Sequence, residues 1–426
     1  MKKTLAIFVA LMMLMSAFAC TAAPAEDPAT EEPEAVVTDV PAPEELPNVE
    51  LTLWASELED FQAAVRVMAD AFIENYASEA NIVINIGAQS ESQTKDTVLV
   101  DIAAAADVYY FADDQTRELV AAGALQPVQN ADAVAAANAQ GAVDAATVDG
   151  TLYAYPAMGG NGYFLYYNSN IISAEQAATW DGILEACNAA GVKATMEMTN
   201  AWYSYGFFAG AGYACALSDD GKTTTCDWNA EGGVNVLQAM LDIAANSAYI
   251  NLTDGEFVSG AKEGTIAAGI NGSWNAASIA EAFGDGYATA KLPTFTLNGE
   301  QVQMGSFDGY KFVGVNAMSE NVGWAMRLAE WLTNEDNQVY LYEATNGAAV
   351  PANTNAAASE AVQANPVVAA LAAQSQYATA QSLSVGGNYW TPANALGTIV
   401  VNGNPDGLEL QAILDECVAG ITALVE

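Results

Sequence analysis

The sequence predicts an α/β protein with two lobes. From residue 49 onward, strand-like runs rich in Val, Ile and Tyr alternate with runs that carry apolar residues at helical spacing, and this alternation is typical of α/β architecture. About 380 residues follow residue 48, more than one ordinary hydrophobic core organises. Two lobes are therefore expected, and no internal repeat of fixed period suggests a solenoid instead.

The first elements after residue 48 predict a β-α-β-α-β unit. VELTLWAS, NIVINIGA and ADVYYFAD have the composition of strands, and FQAAVRVMADAFIENY has helical spacing of apolar residues. Strands joined by helices lie parallel, and such crossovers are right-handed. Ligand sites in open α/β sheets lie beyond the carboxyl ends of the strands, so the residues that follow each strand are candidate ligand contacts.

Residues 1–20 have the features of an export signal. Two lysines precede an apolar run, Leu5 to Met15, and the small residues Ala17 and Ala19 precede Cys20. The end of this segment is similar to a bacterial lipobox, whose cysteine receives lipid, although Ala17 stands where that motif usually has Leu. A cleaved signal with an incidental cysteine is the alternative.

Residues 21–48 are expected to form an extended, solvated tether. The segment is rich in Pro, Ala and acidic residues and has no aromatic residue with which to build a core. One acyl chain holds a protein to a membrane only marginally, so stable retention needs two or more acyl groups on Cys20. No later run is long and apolar enough to cross a bilayer. These features predict a lipoprotein anchored at the outer face of the bacterial cytoplasmic membrane.

The charge of the chain argues against several partners. The formal net charge is −41 with 11 Lys and Arg residues, and loss of Lys2 and Lys3 with an acid-free signal makes it −43. Nucleic acid binding depends on clustered basic residues, which this chain lacks. Anionic solutes and anionic membrane surfaces are disfavoured for the same reason.

The chain contains no histidine. Ser-His and Cys-His nucleophile pairs, imidazole acid-base catalysis and most transition-metal sites are therefore excluded. No cofactor or metal is expected, and an enzyme is disfavoured. A glycosidase with two carboxylates remains an alternative, although 52 acidic residues make some suitably spaced pair unremarkable.

Four of the five cysteines follow the tether. Cys215 and Cys226 flank ALSDDGKTTT at equal distances from its Asp-Gly turn signal, so they are expected to face each other across a hairpin, where a disulfide is allowed. Cys187 and Cys417 each lie in a helical pattern. A second bridge between them and two free buried thiols are both open.

Aromatic residues accompanied by acid or amide groups follow three predicted strands. Trp54 to Glu57 follow the first strand, Phe111 to Gln115 the third, and Asn271 to Asn275 follow TIAAGI. A sugar has apolar faces that stack on aromatic rings and hydroxyls that donate and accept hydrogen bonds, so these segments suit a sugar. The alternative is that the aromatic residues only pack between elements.

Further motifs carry a resemblance to a known family. In chain order they are DGTLYAYP with GYFLYYN, GTIAAGINGSW, LPTF with GYKFVGVN, RLAEWLTNEDNQVYLYEATNGAAVPAN, and NYWTPANALGTIVVNG. With these segments the chain from about residue 49 to its end resembles the extracellular solute-binding proteins (family 1) that serve ABC importers of sugars, in particular the maltose and maltodextrin binders. Each motif alone is weak, and their order over nearly the whole chain is specific.

The resemblance implies two helix-flanked lobes, each with a parallel-type sheet, joined by a hinge of two or three chain crossings. It places the N-terminal lobe at 49–158 and 308–358 and the C-terminal lobe at 159–307 and 359–426. The solute would bind in the cleft between the lobes, and its contacts with both would favour the closed state.

The resemblance also implies a set of ligand contacts. Phe111 stands where maltodextrin-binding relatives have a stacking tryptophan and Asp114 where they have a hydroxyl-binding aspartate, whereas Gln115 replaces an arginine and Asp113 a histidine. The full set is Trp54, Glu57, Phe111, Asp114, Gln115, Asn161, Tyr163, Trp202, Tyr203, Trp274, Asn275 and Trp390.

Several aromatic platforms imply an oligosaccharide longer than one ring, with maltodextrin favoured and other neutral oligosaccharides open. The expected partners are this ligand and separate ABC permease subunits, and the protein is expected to be a monomer. Two alternatives remain. One is a binding protein of the same fold for ferric iron, with tyrosine ligands among Tyr109, Tyr110, Tyr203 and Tyr205; the other is a surface glycosidase or a non-transport sensor.

Overall fold

A computed structural model of the protein describes residues 45–218 and 223–423. The predicted signal, Cys20 and the tether up to residue 44 lie outside these residues. Leu46–Glu426 form one compact unit. Among the described helices, none combines the length and the apolar character needed to cross a membrane.

The strands are short and are distributed over the whole compact unit. They are β1 Asn48–Ala55, β2 Asn81–Ala88, β3 Val108–Ala112, β4 Thr147–Val148, β5 Thr151–Leu152, β6 Ala154–Met158, β7 Tyr163–Asn168, β8 Lys193–Thr195, β9 Cys215–Leu217, β10 Thr224–Cys226, β11 Tyr249–Ile250, β12 Ile266–Gly272, β13 Tyr287–Ala290, β14 Thr294–Leu297, β15 Glu300–Gln303, β16 Ser306–Asp308, β17 Lys311–Val315 and β18 Ala378–Ala380.

The helices flank these strands. They are α1 Glu59–Asn75, α2 Thr94–Val100, α3 Thr116–Ala121, α4 Ala131–Ala137, α5 Gln140–Ala145, α6 Trp180–Ala190, α7 Ala201–Gly210, α8 Gly233–Ala244, α9 Asp254–Lys262, α10 Ala276–Phe283, α11 Val322–Leu332, α12 Glu335–Ala344, α13 Thr354–Ala357, α14 Glu360–Gln363, α15 Pro366–Ser375, α16 Gln381–Ser384, α17 Trp390–Val401 and α18 Leu410–Ile421. Short 3₁₀ turns lie at Asp113–Gln115, Gln176–Ala178, Ser273–Asn275, Gly284–Gly286 and Gly387–Tyr389.

The first sheet confirms the predicted β-α-β-α-β unit. Its strand order is β2-β1-β3-β17-β6, and β1 is parallel to both β2 and β3. Helix α1 packs against it because Phe61, Val65, Met68 and Phe72 recur at helical spacing and are buried. The sheet is mixed rather than parallel throughout, since β17 is antiparallel to β3 and β6.

The second sheet has the order β11-β8-β12-β7-β13. Strand β8 lies between β11 and β12 and is parallel to both. Strand β7 is antiparallel to both β12 and β13. Helix α7 lies beneath it and is buried on nearly all sides, which matches its apolar sequence AWYSYGFFAG. The predicted parallel-type sheet is therefore also a mixed sheet here.

Each sheet has a hydrophobic core of its own. The core of the first sheet includes Leu53, Phe72, Val108 and Leu328, and a separate core around the second sheet includes Leu165, Trp180, Phe207 and Leu396. A third cluster covers the other face of the second sheet. Two sheets with separate cores confirm the two-lobed α/β prediction, and the exact lobe boundaries stay a prediction.

The chain passes between the two sheets three times. The first crossing is residues 159–162, between β6 of the first sheet and β7 of the second. The second crossing lies between β13 and β17. The third follows α12, which packs on the first core, and precedes α15, which packs beside the second sheet. The first two crossings are flanked by the segments DGTLYAYP with GYFLYYN and LPTF with GYKFVGVN.

The predicted hairpin forms, and its cysteines face each other. Strands β9 and β10 are antiparallel, with Cys215 directly opposite Cys226; the turn at 219–222 lies outside the described residues. Both are thiols in the structure, so their disulfide stays a prediction. Cys187 and Cys417 are buried thiols on α6 and α18, and burial together with the neighbouring Cys226 raises the pKa of the Cys417 thiol to about 12.

Candidate functional site

A small cavity lies where the two sheets meet. Its volume is about 30 Å³, and residues from both sheets line it. The lining residues are Ser56, Leu58, Phe61, Glu91, Met158, Gly159, Gly160, Asn161, Ser273, Trp274, Lys311, Ala348 and Ala349. We refer to this place as the cleft.

The cleft lies at the carboxyl ends of strands, as the α/β rule predicts. Ser56 follows β1, Glu91 lies just beyond β2, and Ser273 and Trp274 follow β12. Ser273 Oγ also donates a hydrogen bond to the carbonyl oxygen of Ala348 at 2.7 Å. This contact joins the end of β12 to the loop after α12, so it bridges the two lobes.

A lysine that the sequence analysis did not single out lies in the cleft. Lys311, the first residue of β17, places Nζ 3.3 Å from Glu91 Oε1 and 5.7 Å from the centroid of the Trp274 ring. The Glu91 side chain is 7% exposed and that of Lys311 21%. Because β17 runs antiparallel to β3, its first residue reaches the edge of the sheet where the other strands end. The cleft therefore contains a partly desolvated ion pair.

Four aromatic residues pack together as a cluster beside the cleft, which we call the aromatic wall. Its members are Tyr163, Trp202, Tyr203 and Trp274. The ring centroid of Trp202 lies 4.5 Å from that of Tyr163, 5.1 Å from Tyr203 and 5.6 Å from Trp274. All four were predicted as ligand contacts, and the structure brings them together.

Trp274 can occupy its place because Gly272 precedes it. A Cβ at Gly272 would lie 1.9 Å from Cζ3 of the Trp274 ring, so only glycine allows the ring to fold back over the end of β12. Trp202 is placed by the start of α7, where the Asn200 side chain accepts a hydrogen bond from the Trp202 backbone N–H.

Asp254 connects two residues of the aromatic wall and was not identified from the sequence. Its Oδ1 accepts a hydrogen bond from Tyr203 Oη at 2.7 Å, and its Oδ2 accepts one from Trp274 Nε1 at 2.8 Å. Asp254 is the first residue of α9, behind a capping box formed by Thr253 and Glu256. Burial raises the pKa of Asp254, and the two hydrogen bonds oppose that change.

A second acidic residue lies next to Asp254. Burial raises the pKa of Glu197 to about 7, and the negative charge of Asp254 acts in the same direction, while a hydrogen bond with Asn200 acts against it. This group therefore changes its charge near neutral pH.

Two adjacent carboxyl groups follow β3. Burial raises the pKa of Asp114 to about 6, whereas a hydrogen bond with Gln381 and the charge of Lys95 lower it. The pKa of Asp113 lies well above its ordinary value because the group is fully desolvated and lies beside Asp114. Both acids therefore exchange protons well above the ordinary range of an aspartate.

Several buried polar atoms near the cleft lack a hydrogen-bond partner. They include Asp113 Oδ1, Asp114 Oδ1, Tyr110 Oη and Asn271 Nδ2. Asp113 and Asp114 follow β3, and Asn271 lies at the end of β12, next to cavity-lining Ser273. Leaving a buried polar atom unpaired is costly, so such atoms mark places where a ligand or water completes the hydrogen bonding.

Two predicted contacts at the end of β3 are corrected by the structure. Phe111 is 0% exposed and packs inside the first core, 5.7 Å between ring centroids from Phe312, so it offers no stacking face. Gln115 is buried and uses its side chain internally, accepting from the backbone N–H of Lys95 and donating to the carbonyl oxygen of Glu91, each at 2.7 Å. The sequence pattern places both residues at a strand end. The Phe111 side chain points into the core, and its two hydrogen bonds hold the Gln115 side chain within its own lobe.

After the first strand, the residues that line the cavity are one or two positions away from those predicted. The Trp54 ring lies against Gly87 on the face of the sheet, and Glu57 is exposed; neither lines the cavity. Ser56 and Leu58 line it instead. Side chains alternate along the end of a strand, so a shift of one residue changes the direction in which a side chain points.

Of the other predicted residues, Asn161 and Asn275 lie in or beside the cleft and Trp390 lies elsewhere. Asn161 lines the cavity at the first crossing. Asn275 lies one residue beyond Trp274, with Nδ2 3.4 Å from Asn271 Oδ1. Trp390 begins α17 and packs on Phe307, 6.3 Å between centroids, at the edge of the second core; it does not line the cavity. Their role as ligand contacts stays a prediction.

The tyrosines considered for ferric iron do not converge. Tyr109 donates to the carbonyl oxygen of Ala124 and lies in the first core, Tyr203 donates to Asp254, and Tyr205 stacks on Phe307 in the second core with centroids 3.8 Å apart. Within residues 45–218 and 223–423, no group of three or more Cys, Asp or Glu side chains is arranged to hold a metal ion. The arrangement therefore disfavours the tyrosine-iron alternative.

A larger cavity, of about 470 Å³, lies away from the cleft. It is lined by residues such as Tyr155, Trp324, Arg327 and Glu330. Arg327 there pairs with Glu79 at 2.7 Å and covers the Trp324 ring. None of the predicted ligand contacts lines this cavity.

Comparison with known proteins gives the same architecture. The family model described as bacterial extracellular solute-binding protein matches residues 71–370. No match was found among curated protein sequences. Since the family model covers most of the chain, the protein belongs to the bacterial extracellular solute-binding proteins, a family of binding proteins that work outside the cell.

Solved structures place the fold among sugar-binding relatives. One protein, solved with acarbose, is 28% identical with a TM-score of 0.80 and covers 89% of this chain and 99% of its own. A maltodextrin-binding protein from L. casei BL23, solved without ligand, is 24% identical with a TM-score of 0.72 over 88% of this chain and 99% of its own. The Thermus thermophilus maltotriose-binding protein, bound with maltotriose, is 23% identical with a TM-score of 0.73 over 87% and 99%.

Proposed function

We propose that this protein captures a neutral oligosaccharide of the maltodextrin type in the cleft and delivers it to an ABC importer. The observation that carries this proposal is the aromatic wall, which lies beside buried polar atoms that have no partner and that come from the strand ends of both sheets. The similar proteins solved with acarbose and with maltotriose support the same ligand class.

The aromatic wall supplies stacking surfaces. Trp202 and Trp274 are half-buried, so each retains an accessible ring face for the apolar face of a sugar ring. Tyr163 and Tyr203 are buried behind them and support these two rings. Two tryptophan platforms 5.6 Å apart suit a ligand with more than one ring.

Polar groups from the strand ends of both sheets supply hydrogen bonds. Asp113 and Asp114 accept from sugar hydroxyls, and Asn271 Nδ2 donates to them, which would satisfy the unpartnered atoms. Lys311 and Glu91 add one cationic donor and one acceptor. A phosphorylated or uronic sugar would bring negative charge to several carboxyl groups and is disfavoured.

Binding requires motion between the lobes. The cavity of about 30 Å³ is far smaller than the roughly 300–1,000 Å³ of a typical ligand site, so an oligosaccharide enters only after the lobes separate. The crossings are the places where the backbone can turn, and Gly160 at the first crossing has a φ of 62°. A ligand that contacts both lobes then favours the closed state.

The cellular setting is part of the same proposal. Lipid on Cys20 would hold the protein at the outer face of the membrane, and the tether would give it reach. The lobes would be 49–158 with 308–358 and 159–307 with 359–426, and both would dock on separate permease subunits. The protein would act as a monomer and would not catalyse a reaction.

The test is titration of residues 46–426 with maltose, maltotriose and longer maltodextrins beside xylo- and cello-oligosaccharides, followed by calorimetry and tryptophan fluorescence. We expect saturable binding to one glucan series. Trp274→Ala should weaken it at least about tenfold, since loss of a stacking platform removes on the order of 1.4 kcal/mol or more. Trp324→Ala, at a half-buried tryptophan outside the cleft, is the matched control.

Other results would change the assignment. If the protein binds none of these saccharides, its ligand belongs to another chemical class, although the fold is the same. Hydrolysis of a malto-oligosaccharide by the pure protein would establish the glycosidase alternative and overturn the transport function.

A further inference from the structure

A single carboxylate on α9 connects two residues of the aromatic wall that belong to different elements. Tyr203 is on α7 and Trp274 follows β12, and each donates a hydrogen bond to a different oxygen of Asp254, at 2.7 and 2.8 Å. Both oxygens of this half-buried carboxylate thus accept a hydrogen bond from the wall.

We propose that Asp254 is a positioning residue for ligand recognition, whose carboxylate fixes the rings of Trp274 and Tyr203 so that the aromatic wall is formed before ligand arrives. This inference rests on the proposed function, because it assigns the wall to sugar stacking. Asp254 acts through the two rings and does not itself touch the sugar.

The hydrogen-bonding capacity of the two rings explains why an acceptor such as Asp254 is needed at this position. An indole N–H can only donate, so Trp274 needs an acceptor at this point, whereas a tyrosine hydroxyl can both donate and accept. A ring held at one edge by a charge-assisted hydrogen bond loses its freedom to rotate away from the cleft. When the wall is already formed, binding does not have to order its side chains, so less of the binding free energy is lost to conformational entropy.

Burial raises the pKa of the half-buried Asp254, and its two hydrogen bonds and its place in the helix favour the charged form. It lies at the N-terminus of α9, where the helix dipole favours an anion. The ionisable groups that interact with it are Tyr203, Tyr166 and Glu197, and Glu256 lies on its own helix. Glu197, with a pKa raised to about 7, is neutral at mildly acid pH and adds a second negative charge near Asp254 as pH rises.

Two substitutions of Asp254 distinguish the effect of its hydrogen bonds from the effect of its size. In Asp254→Asn, the amide oxygen can accept from the Trp274 N–H and the amide nitrogen can donate to the Tyr203 oxygen, so both connections survive. In Asp254→Leu neither survives. Glu263→Gln is the control, since Glu263 is an exposed acid at the far end of the same helix and its change removes the same charge.

The first measurement is the affinity for maltotriose by calorimetry. We expect Asp254→Leu to bind at least about tenfold more weakly, as loss of charge-assisted hydrogen bonds implies, while Asp254→Asn stays within about threefold and Glu263→Gln is unchanged. Equal affinity in Asp254→Leu and in the unaltered protein would overturn the proposal. So would an Asp254→Asn variant as weak as Asp254→Leu, because the lost negative charge, and not the loss of the two hydrogen bonds, would then be the change common to both.

The second measurement needs no ligand. Near-ultraviolet circular dichroism reports the coupled rings of Trp202 and Trp274, whose centroids are 5.6 Å apart. We expect this signal to disappear in Asp254→Leu and in Trp274→Phe, and to persist in Asp254→Asn.

The two measurements fail independently. A protein that binds no saccharide but shows the expected dichroism pattern would defeat the proposed function and keep Asp254 as the residue that orders the wall. An identical signal in Asp254→Leu and Asp254→Asn would overturn the positioning role even if maltotriose binds.

Discussion

At the residue scale, Asp114 shows how burial changes the chemistry of a candidate ligand contact. Its pKa rises from 3.8 to about 6, mainly because the carboxyl is desolvated, and Gln381 and Lys95 offset only part of this change. One of its oxygens has no partner. A sugar hydroxyl that donates to this oxygen would favour the ionised form.

Ligand affinity should therefore depend on pH through Asp114. Ionised Asp114 accepts hydroxyl donors better than neutral Asp114, so affinity for maltotriose should rise through pH 6 and be about tenfold weaker at pH 5 than at pH 8 if only the ionised form binds. The measurement is calorimetry across this range. Asp114→Asn should bind more weakly and without the step near pH 6, and an unchanged step in that variant would assign it to another group.

The same group affects stability in the opposite direction. Because the folded pKa lies above the ordinary value, the folded chain binds more protons than the unfolded chain between about pH 4 and 6. The stabilising contribution of Asp114 is thus complete below pH 4 and is lost as pH rises through 6. Binding and folding therefore respond to pH with opposite signs at this residue.

At the scale of elements, the end of β12 determines whether the wall can form. The strand ends in Gly272, and Trp274 folds back over it so closely that a Cβ at Gly272 would lie 1.9 Å from Cζ3 of the ring. The strand end, the 3₁₀ turn Ser273–Asn275 and the start of α9 meet at the indole of Trp274. Their arrangement depends on residue 272 being glycine.

Gly272→Ala should consequently disrupt the site more than the fold. The added methyl group displaces the Trp274 ring, which breaks its hydrogen bond to Asp254, so affinity for maltotriose should fall at least about tenfold and unfolding free energy by about 1–3 kcal/mol. Urea denaturation and calorimetry measure the two effects. Gly255→Ala is the control, because nothing lies within 4 Å of its added Cβ and alanine suits a helix better than glycine.

Two outcomes would contradict this prediction. Normal affinity in Gly272→Ala would show that the ring has room to move without losing its function. A similar loss in Gly255→Ala would show that the neighbourhood as a whole, and not the Trp274 ring, is sensitive to added volume.

At the scale of the whole molecule, the two sheets meet around a cavity too small for the proposed ligand. Cross-lobe contacts such as Ser273 with Ala348 and Lys311 with the Trp274 ring already join the lobes. An oligosaccharide can enter only after these contacts separate. The bound state then replaces them with contacts made by the ligand.

Small-angle scattering of residues 46–426 should detect this motion. A compact chain of about 380 residues has a radius of gyration of roughly 21 Å. We expect a value near this figure with saturating maltotriose and a larger one without ligand, because the free lobes sample an open state. The Trp274→Ala variant should need at least about tenfold more maltotriose to reach the smaller value, and identical values for free and saturated protein would argue against hinge closure.

Much of the fold followed from the sequence. Periodicity predicted β1, α1, β2 and β3 and the parallel pairing of their strands, and the Asp-Gly signal predicted the register of Cys215 with Cys226. Local pattern did not reveal that β17 and β7 run antiparallel within their sheets, because each returns from the other lobe and its direction depends on the path of the chain.

The candidate site was predicted in part. Trp202, Tyr203 and Trp274 came together as expected, whereas Phe111 turned inward and Ser56 took the place assigned to Trp54 and Glu57. Asp254 gave no signal of its own, since it lies 51 residues from Tyr203 and 20 from Trp274 along the chain. Only the packing of α7, α9 and the end of β12 brings these three together.

The sequence by itself determined the class of fold, the sign of the charge, the absence of imidazole chemistry and the segments that could carry aromatic contacts. These properties depend on composition and on periods of two to four residues, which are local. The tertiary structure decided which aromatic faces reach the cleft, which acids are buried enough to hold protons near neutral pH, and where Lys311 and Asp254 act. Those properties depend on burial and on distances between residues far apart in the chain, which arise only when the two sheets are assembled.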